Sequence, residues 1–101
     1  MKSVELQRCA RVAIEFCGHV RPDERVLIVT DTMRDQSVAE ALMGAALAAR
    51  AEPVLTIMPT QRSTPQEPPG AVSAAMAQAD IAYLYTTYSL THSAEIGRAH
   101  V

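Results

Sequence analysis

Three short apolar runs, spaced by stretches of helical periodicity, limit what this chain can fold into. Arg25-Val26-Leu27-Ile28-Val29-Thr30 is rich in β-branched residues and does not alternate polar with apolar. As a strand it needs cover on both faces, the situation inside a parallel sheet. Val54-Leu55-Thr56-Ile57-Met58 and Ile81-Ala82-Tyr83-Leu84-Tyr85 have the same character. Between the first two runs, Val38, Leu42, Ala45, Ala46 and Ala49 form the inward face of a helix whose small residues let it lie close to a sheet. Asp31 and Thr32 are placed to cap that helix, and Pro53 blocks its continuation. Before the third run, Pro68 and Pro69 can start a helix with Val72, Ala75, Met76 and Ala79 as its buried stripe.

Ahead of the first strand, Leu6, Cys9, Ala10, Ala13, Phe16, Cys17 and Val20 recur at three- and four-residue steps, while Glu5, Arg8, Arg11 and Glu15 take the opposite face. Gly18 offers a left-handed stop, and Arg21-Pro22-Asp23-Glu24 has proline where a type I turn accepts it. Cys9 and Cys17 fall roughly 12 Å apart along such a helix, beyond disulfide reach, and are expected to be reduced and on or near its buried face. Strands alternating with helices predict an α/β class: a three-layer, Rossmann-like parallel sheet with helices on both faces. Its content is incomplete, with about three strands and three to four helices, and a bare sheet edge invites association. The polar, proline-rich stretch from Pro59 to Gly70 is long for a connection and is expected to be a surface excursion, either a mobile loop or a wall over the strand ends.

Composition removes several classes of function. With 101 residues, 49% hydrophobic and 20% charged, the chain suits one globular domain. A net charge of -2 supplies no basic footprint for nucleic acid or an anionic membrane. There is no apolar run long enough to span a bilayer and no signal-peptide pattern, so a cytoplasmic location is expected. The glycine-rich phosphate loops are missing too, and no H-E-x-x-H or clustered ligand set predicts a metal site in this chain. No catalytic residue is assigned. The cleft candidates are Asp31 and Thr32 at the end of the first strand, with Ser89, Thr91 and His92 beyond the third. Tyr83 and Tyr85 share one sheet face and are expected in the core.

Residues 1–94 are expected to form a partial N-terminal α/β domain. A fourth helix starts near Ser89, and Glu95-Ile96-Gly97-Arg98-Ala99-His100-Val101 resembles the translation of a DNA sequencing adapter and is taken as non-native. The ordered set Ala10-Arg11, Val20-Arg21-Pro22-Asp23-Glu24-Arg25-Val26-Leu27-Ile28-Val29-Thr30-Asp31, Ala39-Glu40-Ala41-Leu42, Glu67-Pro68-Pro69 and Ser89-Leu90-Thr91-His92 resembles the N-terminal domain of the aminopeptidase T family of metallopeptidases. The resemblance covers residues 4 to 94, and Arg50-Ala51-Glu52 departs from it where the family has a helix-ending glycine. It implies a two-domain, typically homodimeric enzyme that removes N-terminal residues from peptides with two divalent ions (zinc, cobalt or manganese). The ligands lie in the later domain, so this segment binds no cofactor, is inactive alone, and has its own C-terminal domain as a partner. A related branch holds iron and opens the ring of a dihydroxypyridine. The alternative without any parent enzyme is a small-molecule-binding module that recognises its ligand through Asp31, Thr32 and Ser89.

Overall fold

The computed structural model describes residues 3–60 and 70–86. The elements follow as α1 (Ser3–Arg11), continuing into a π-helical turn (Val12–Cys17), then β1 (Arg25–Asp31), α2 (Gln36–Ala48), β2 (Glu52–Met58), α3 (Gly70–Gln78) and β3 (Ile81–Tyr85). β1 is central in an open parallel sheet of three strands ordered β2-β1-β3. In register, Ile28 lies between Leu55 and Tyr83, and Thr30 between Ile57 and Tyr85.

The lack of alternation in β1 is explained by cover on both faces. On one, Val26, Ile28, Ile81 and Tyr83 pack with Ala10, Ile14, Ala39, Leu42 and Ala46. On the other, Leu27, Val29, Ala82 and Leu84 pack with Met58, Val72 and Met76. Thus α1 and α2 form one outer layer and α3 the other, which is the α/β architecture expected. The α3 stripe also matches, with Val72 and Met76 buried and Ala75 and Ala79 half-buried. In α2 the buried set is Ala39, Leu42 and Ala46, with Val38, Ala45 and Ala49 half-buried beside it.

Several local expectations are corrected, each for a definable reason. The π-type bond from Gly18 N–H to Ala13 C=O, at 2.9 Å, widens the last turn and rotates the helix face. Ile14 is consequently buried, whereas Phe16, Cys9 and Cys17 are exposed and both cysteines free. Gly18 itself stays right-handed at φ -91, and His19 takes the left-handed position at φ 49. Glycine is needed at 18 for room: a Cβ would collide with the Tyr83 hydroxyl and lie 2.8 Å from Ile81 Cδ1. That hydroxyl donates to Ala13 C=O at 2.7 Å, locking α1 to β3.

Asp23 has φ 67, so the turn before β1 is type II and not type I. Arg50, standing where glycine was expected, adopts φ 66 after α2 and donates its N–H to Leu47 C=O at 2.9 Å. Pro53 lies inside β2, one residue into the strand. The cap of α2 is Asp35, whose carboxylate accepts from Ser37 N–H at 3.0 Å and Ser37 Oγ–H at 2.8 Å; Asp31 and Thr32 do not cap it. Most of the expected excursion, the fourth helix and the 95–101 tail lie outside the described residues.

Candidate functional site

From β1 the chain leaves along one face of the sheet through α2, and it reaches β3 along the other through α3. The carboxyl ends of β1 and β3 therefore flank a topological switch point, where the helices part and open α/β sheets bind ligands. Its floor is built from the end of β1. Thr30 and Asp31 are buried, and Asp31 Oδ1 accepts the Met33 N–H at 3.0 Å, turning the chain sharply outward. The Arg34 N–H closes the same turn on Asp31 C=O at 3.2 Å.

One side chain from this turn spans the crevice and a second braces the turn itself. Arg34 places its guanidinium carbon 5.2 Å from the centroid of the Tyr85 ring, and its Nη2 donates to Thr86 C=O at 3.4 Å. It thus links the loop after β1 to the end of β3. Gln36 Nε2 donates to both Asp31 C=O and Arg34 C=O at 3.1 Å, bracing the turn from beneath α2. On the β2 side, exposed Thr32 donates its N–H to Met58 C=O at 3.2 Å, and its hydroxyl lies 3.2 Å from that of Thr60.

Three buried side-chain polar atoms lack a partner among the described residues: Thr30 Oγ1, Arg34 Nε and Gln36 Oε1. All three belong to this one turn and the strand residue leading into it. Buried polar atoms without partners cost about 1–3 kcal/mol each and stand out against a well-satisfied interior. Together they give the switch point one donor, one acceptor and one hydroxyl able to do either. An apolar cavity of about 160 Å³ lies at the opposite end of the sheet, lined by Val26, Leu27, Val54 and Ala79 with Arg25 and Glu52 at its rim. A second, of about 190 Å³, lies between α1 and α2 and ends on Tyr85.

Of the sequence candidates, Asp31 and Thr32 sit at this site, but with different duties: one holds the turn and the other faces solvent. Ser89, Thr91 and His92 lie outside the described residues. Arg34, Gln36 and Tyr85 were missed as site residues. The available signal was the distance from Asp31 to a second good cap, Asp35, which leaves room for a functional turn between strand and helix. Among the described residues, no group of three His, Cys, Asp or Glu is arranged to hold a metal ion.

No protein-family model matches the sequence, and no curated protein does. A solved structure does share the fold. It is 2,5-dihydroxypyridine dioxygenase from Pseudomonas putida KT2440, superposing with a TM-score of 0.71 at 17% identity over 94% of this chain. The chain spans 30% of that protein's length. This finding corrects the peptidase reading, because the structural likeness is to a dioxygenase and none to an aminopeptidase supports the hydrolase assignment. Those segments of the resemblance that fall among the described residues are strand, turn and helix residues, which track a fold and not a reaction.

Proposed function

We propose that this chain is the N-terminal α/β part of a larger iron-dependent dioxygenase that opens the ring of a dihydroxypyridine, with the switch point between β1 and β3 forming one wall of its substrate cleft. The observation that carries the proposal is the likeness of fold over 94% of the chain to 2,5-dihydroxypyridine dioxygenase. In this reading the iron is held mainly by residues outside the described ones, among which no group of three His, Cys, Asp or Glu is arranged to hold it. The segment's part within it is positional: Arg34, stacked on the Tyr85 ring, carries a cation at the wall, and the buried polar atoms of Thr30 and Gln36 lie behind it. No helix among the described residues is long and apolar enough to cross a membrane, and a cytoplasmic location belongs to the same proposal.

The test uses the protein encoded by the whole reading frame that contains this segment, supplied with ferrous iron, air and 2,5-dihydroxypyridine. Ring absorbance should fall as oxygen is consumed in equal amount. Release of amino acids from peptides without oxygen uptake would overturn the reading. The second reading is a self-sufficient small-molecule-binding module, favoured by the three unpartnered atoms at the switch point. It requires the 101-residue chain alone to bind a small polar ligand, and calorimetric titration of the chain with 2,5-dihydroxypyridine separates the two.

A further inference from the structure

Arg34 is a half-buried cation with no acid paired to it among the described residues. The ion pairs formed there join Arg11 with Glu15 and Arg25 with Asp80. The two carboxylates nearest to it in sequence are turned to the backbone, Asp31 accepting the Met33 N–H and Asp35 the Ser37 N–H. What holds the guanidinium is uncharged: the Tyr85 ring at 5.2 Å from its carbon, and Thr86 C=O, which accepts from Nη2 at a long 3.4 Å. A partly desolvated cation without a counter-charge attracts an anion more strongly than one in bulk water.

The three nitrogens differ in what they can still do. Nε is enclosed and Nη2 is on Thr86, whereas Nη1 is neither enclosed nor hydrogen-bonded among the described residues. A guanidinium donates in its own plane, so a ring stacked on its face leaves the edge donors available. Tyr85 and Thr86 thus fix the plane in which Nη1 offers its N–H groups at the switch point.

Backbone donors narrow the class of anion. The N–H groups of Thr32, Met33, Arg34 and Ser37 are all used inside the turn, on Met58 C=O, Asp31 Oδ1, Asp31 C=O and Asp35 Oδ1. A phosphate, which calls for several convergent donors, is poorly served. One ionised oxygen on a flat ring needs a single charge-assisted bond and fits beside a guanidinium already stacked on an aromatic face.

We propose that Arg34 determines specificity for ring substrates bearing one anionic group, its Nη1–H pairing with that group. The inference rests on the dioxygenase reading and deepens it: the dihydroxypyridine is recognised at this wall through an ionised ring oxygen.

The test uses the protein of the whole reading frame. In oxygen uptake with ferrous iron and 2,5-dihydroxypyridine, Arg34→Gln should raise KM about tenfold or more and lower kcat by a smaller factor, the mark of a lost binding contact. Benzoate and benzamide share a shape and differ in charge, so their calorimetric titration into the iron-free protein separates recognition of charge from general damage. The unsubstituted protein should bind benzoate the more tightly. Arg34→Gln should reduce that preference about tenfold, and Arg34→Lys, which keeps the charge, should retain most of it. An unchanged KM in Arg34→Gln, no benzoate preference in the unsubstituted protein, or a preference of the same size in Arg34→Gln would each overturn the inference. Oxygen uptake by the unsubstituted protein would then leave the dioxygenase reading standing, whereas its absence overturns that reading and this inference together.

Discussion

At its amino end β1 is tied on both flanks. Arg25 N–H donates to Asp80 Oδ2 at 2.8 Å while Asp80 N–H donates to Arg25 C=O at 2.9 Å, and across the strand Glu52 N–H reaches Glu24 C=O at 2.8 Å. Asp23 N–H donates to Arg50 C=O at 2.9 Å, joining the turn before β1 to the end of α2. At the carboxyl end the same strand runs into Thr30, Arg34 and Gln36, each with a buried polar atom lacking a partner among the described residues. Closed bonding at one end and open bonding at the other separate what holds the sheet from what it can present. The open end coincides with the switch point, where the fold leaves space for a ligand.

Substitutions can break or sharpen that contrast. The largest effect is expected from Asp80→Ala, which removes both the acceptor for Arg25 N–H and the ion pair at 3.5 Å. Both side chains are more than a third exposed, so the loss is about 1–2 kcal/mol in chemical denaturation and not the full value of a buried charged bond. Thr30→Val should act with the opposite sign. It replaces an unpartnered buried hydroxyl by a methyl group of similar shape, and stability should rise by about 1 kcal/mol. If Thr30→Val destabilises instead, the hydroxyl is satisfied and the two ends of β1 do not differ as described.

What the sequence discloses follows the same division. The β3 run and the α3 stripe were legible because burial on both sides of a parallel sheet leaves an unbroken apolar signal. Strand order was not, since the one local mark of an edge in Glu52–Met58, Pro53, reads in sequence as part of the helix-to-strand connection. Pro53 looked like a helix stop and is instead tolerated in β2 because its missing N–H faces outward. Ile14 was hidden by the π-helical turn, for a constant helical period points to Phe16 and Cys17. At the site, Asp31 and Thr32 could be placed by the strand-end rule. Arg34 and Gln36 could not, because Asp31 and Asp35 are both credible caps, and choosing the first erases the turn between them.

Two smaller effects test the connections on either side of the strand. Arg50 holds φ 66 without being glycine, so Arg50→Gly should raise stability by at most about 1 kcal/mol, the relief of left-handed strain exceeding glycine's added freedom when unfolded. Thermal melts of the two proteins side by side measure it. The last effect concerns Asp35, which fixes where α2 begins and so how long the functional turn is. The Ser37 N–H, and secondarily its hydroxyl, hold the Asp35 carboxyl below its ordinary 3.8. A carboxyl depressed in the folded state stabilises fully above that ordinary value, and its contribution disappears as pH falls through the lower, folded value. Asp35→Asn retains an acceptor but no charge, so the difference in stability between the two proteins should be constant near neutrality and shrink in acid below about pH 4. Because the carboxylate is fully exposed, the change should be the smallest of the four and should weaken in high salt. A difference that stays constant into acid would mean that Asp35 carries no charge-dependent cap, and the boundary between turn and helix would then rest on Gln36 holding Asp31 C=O.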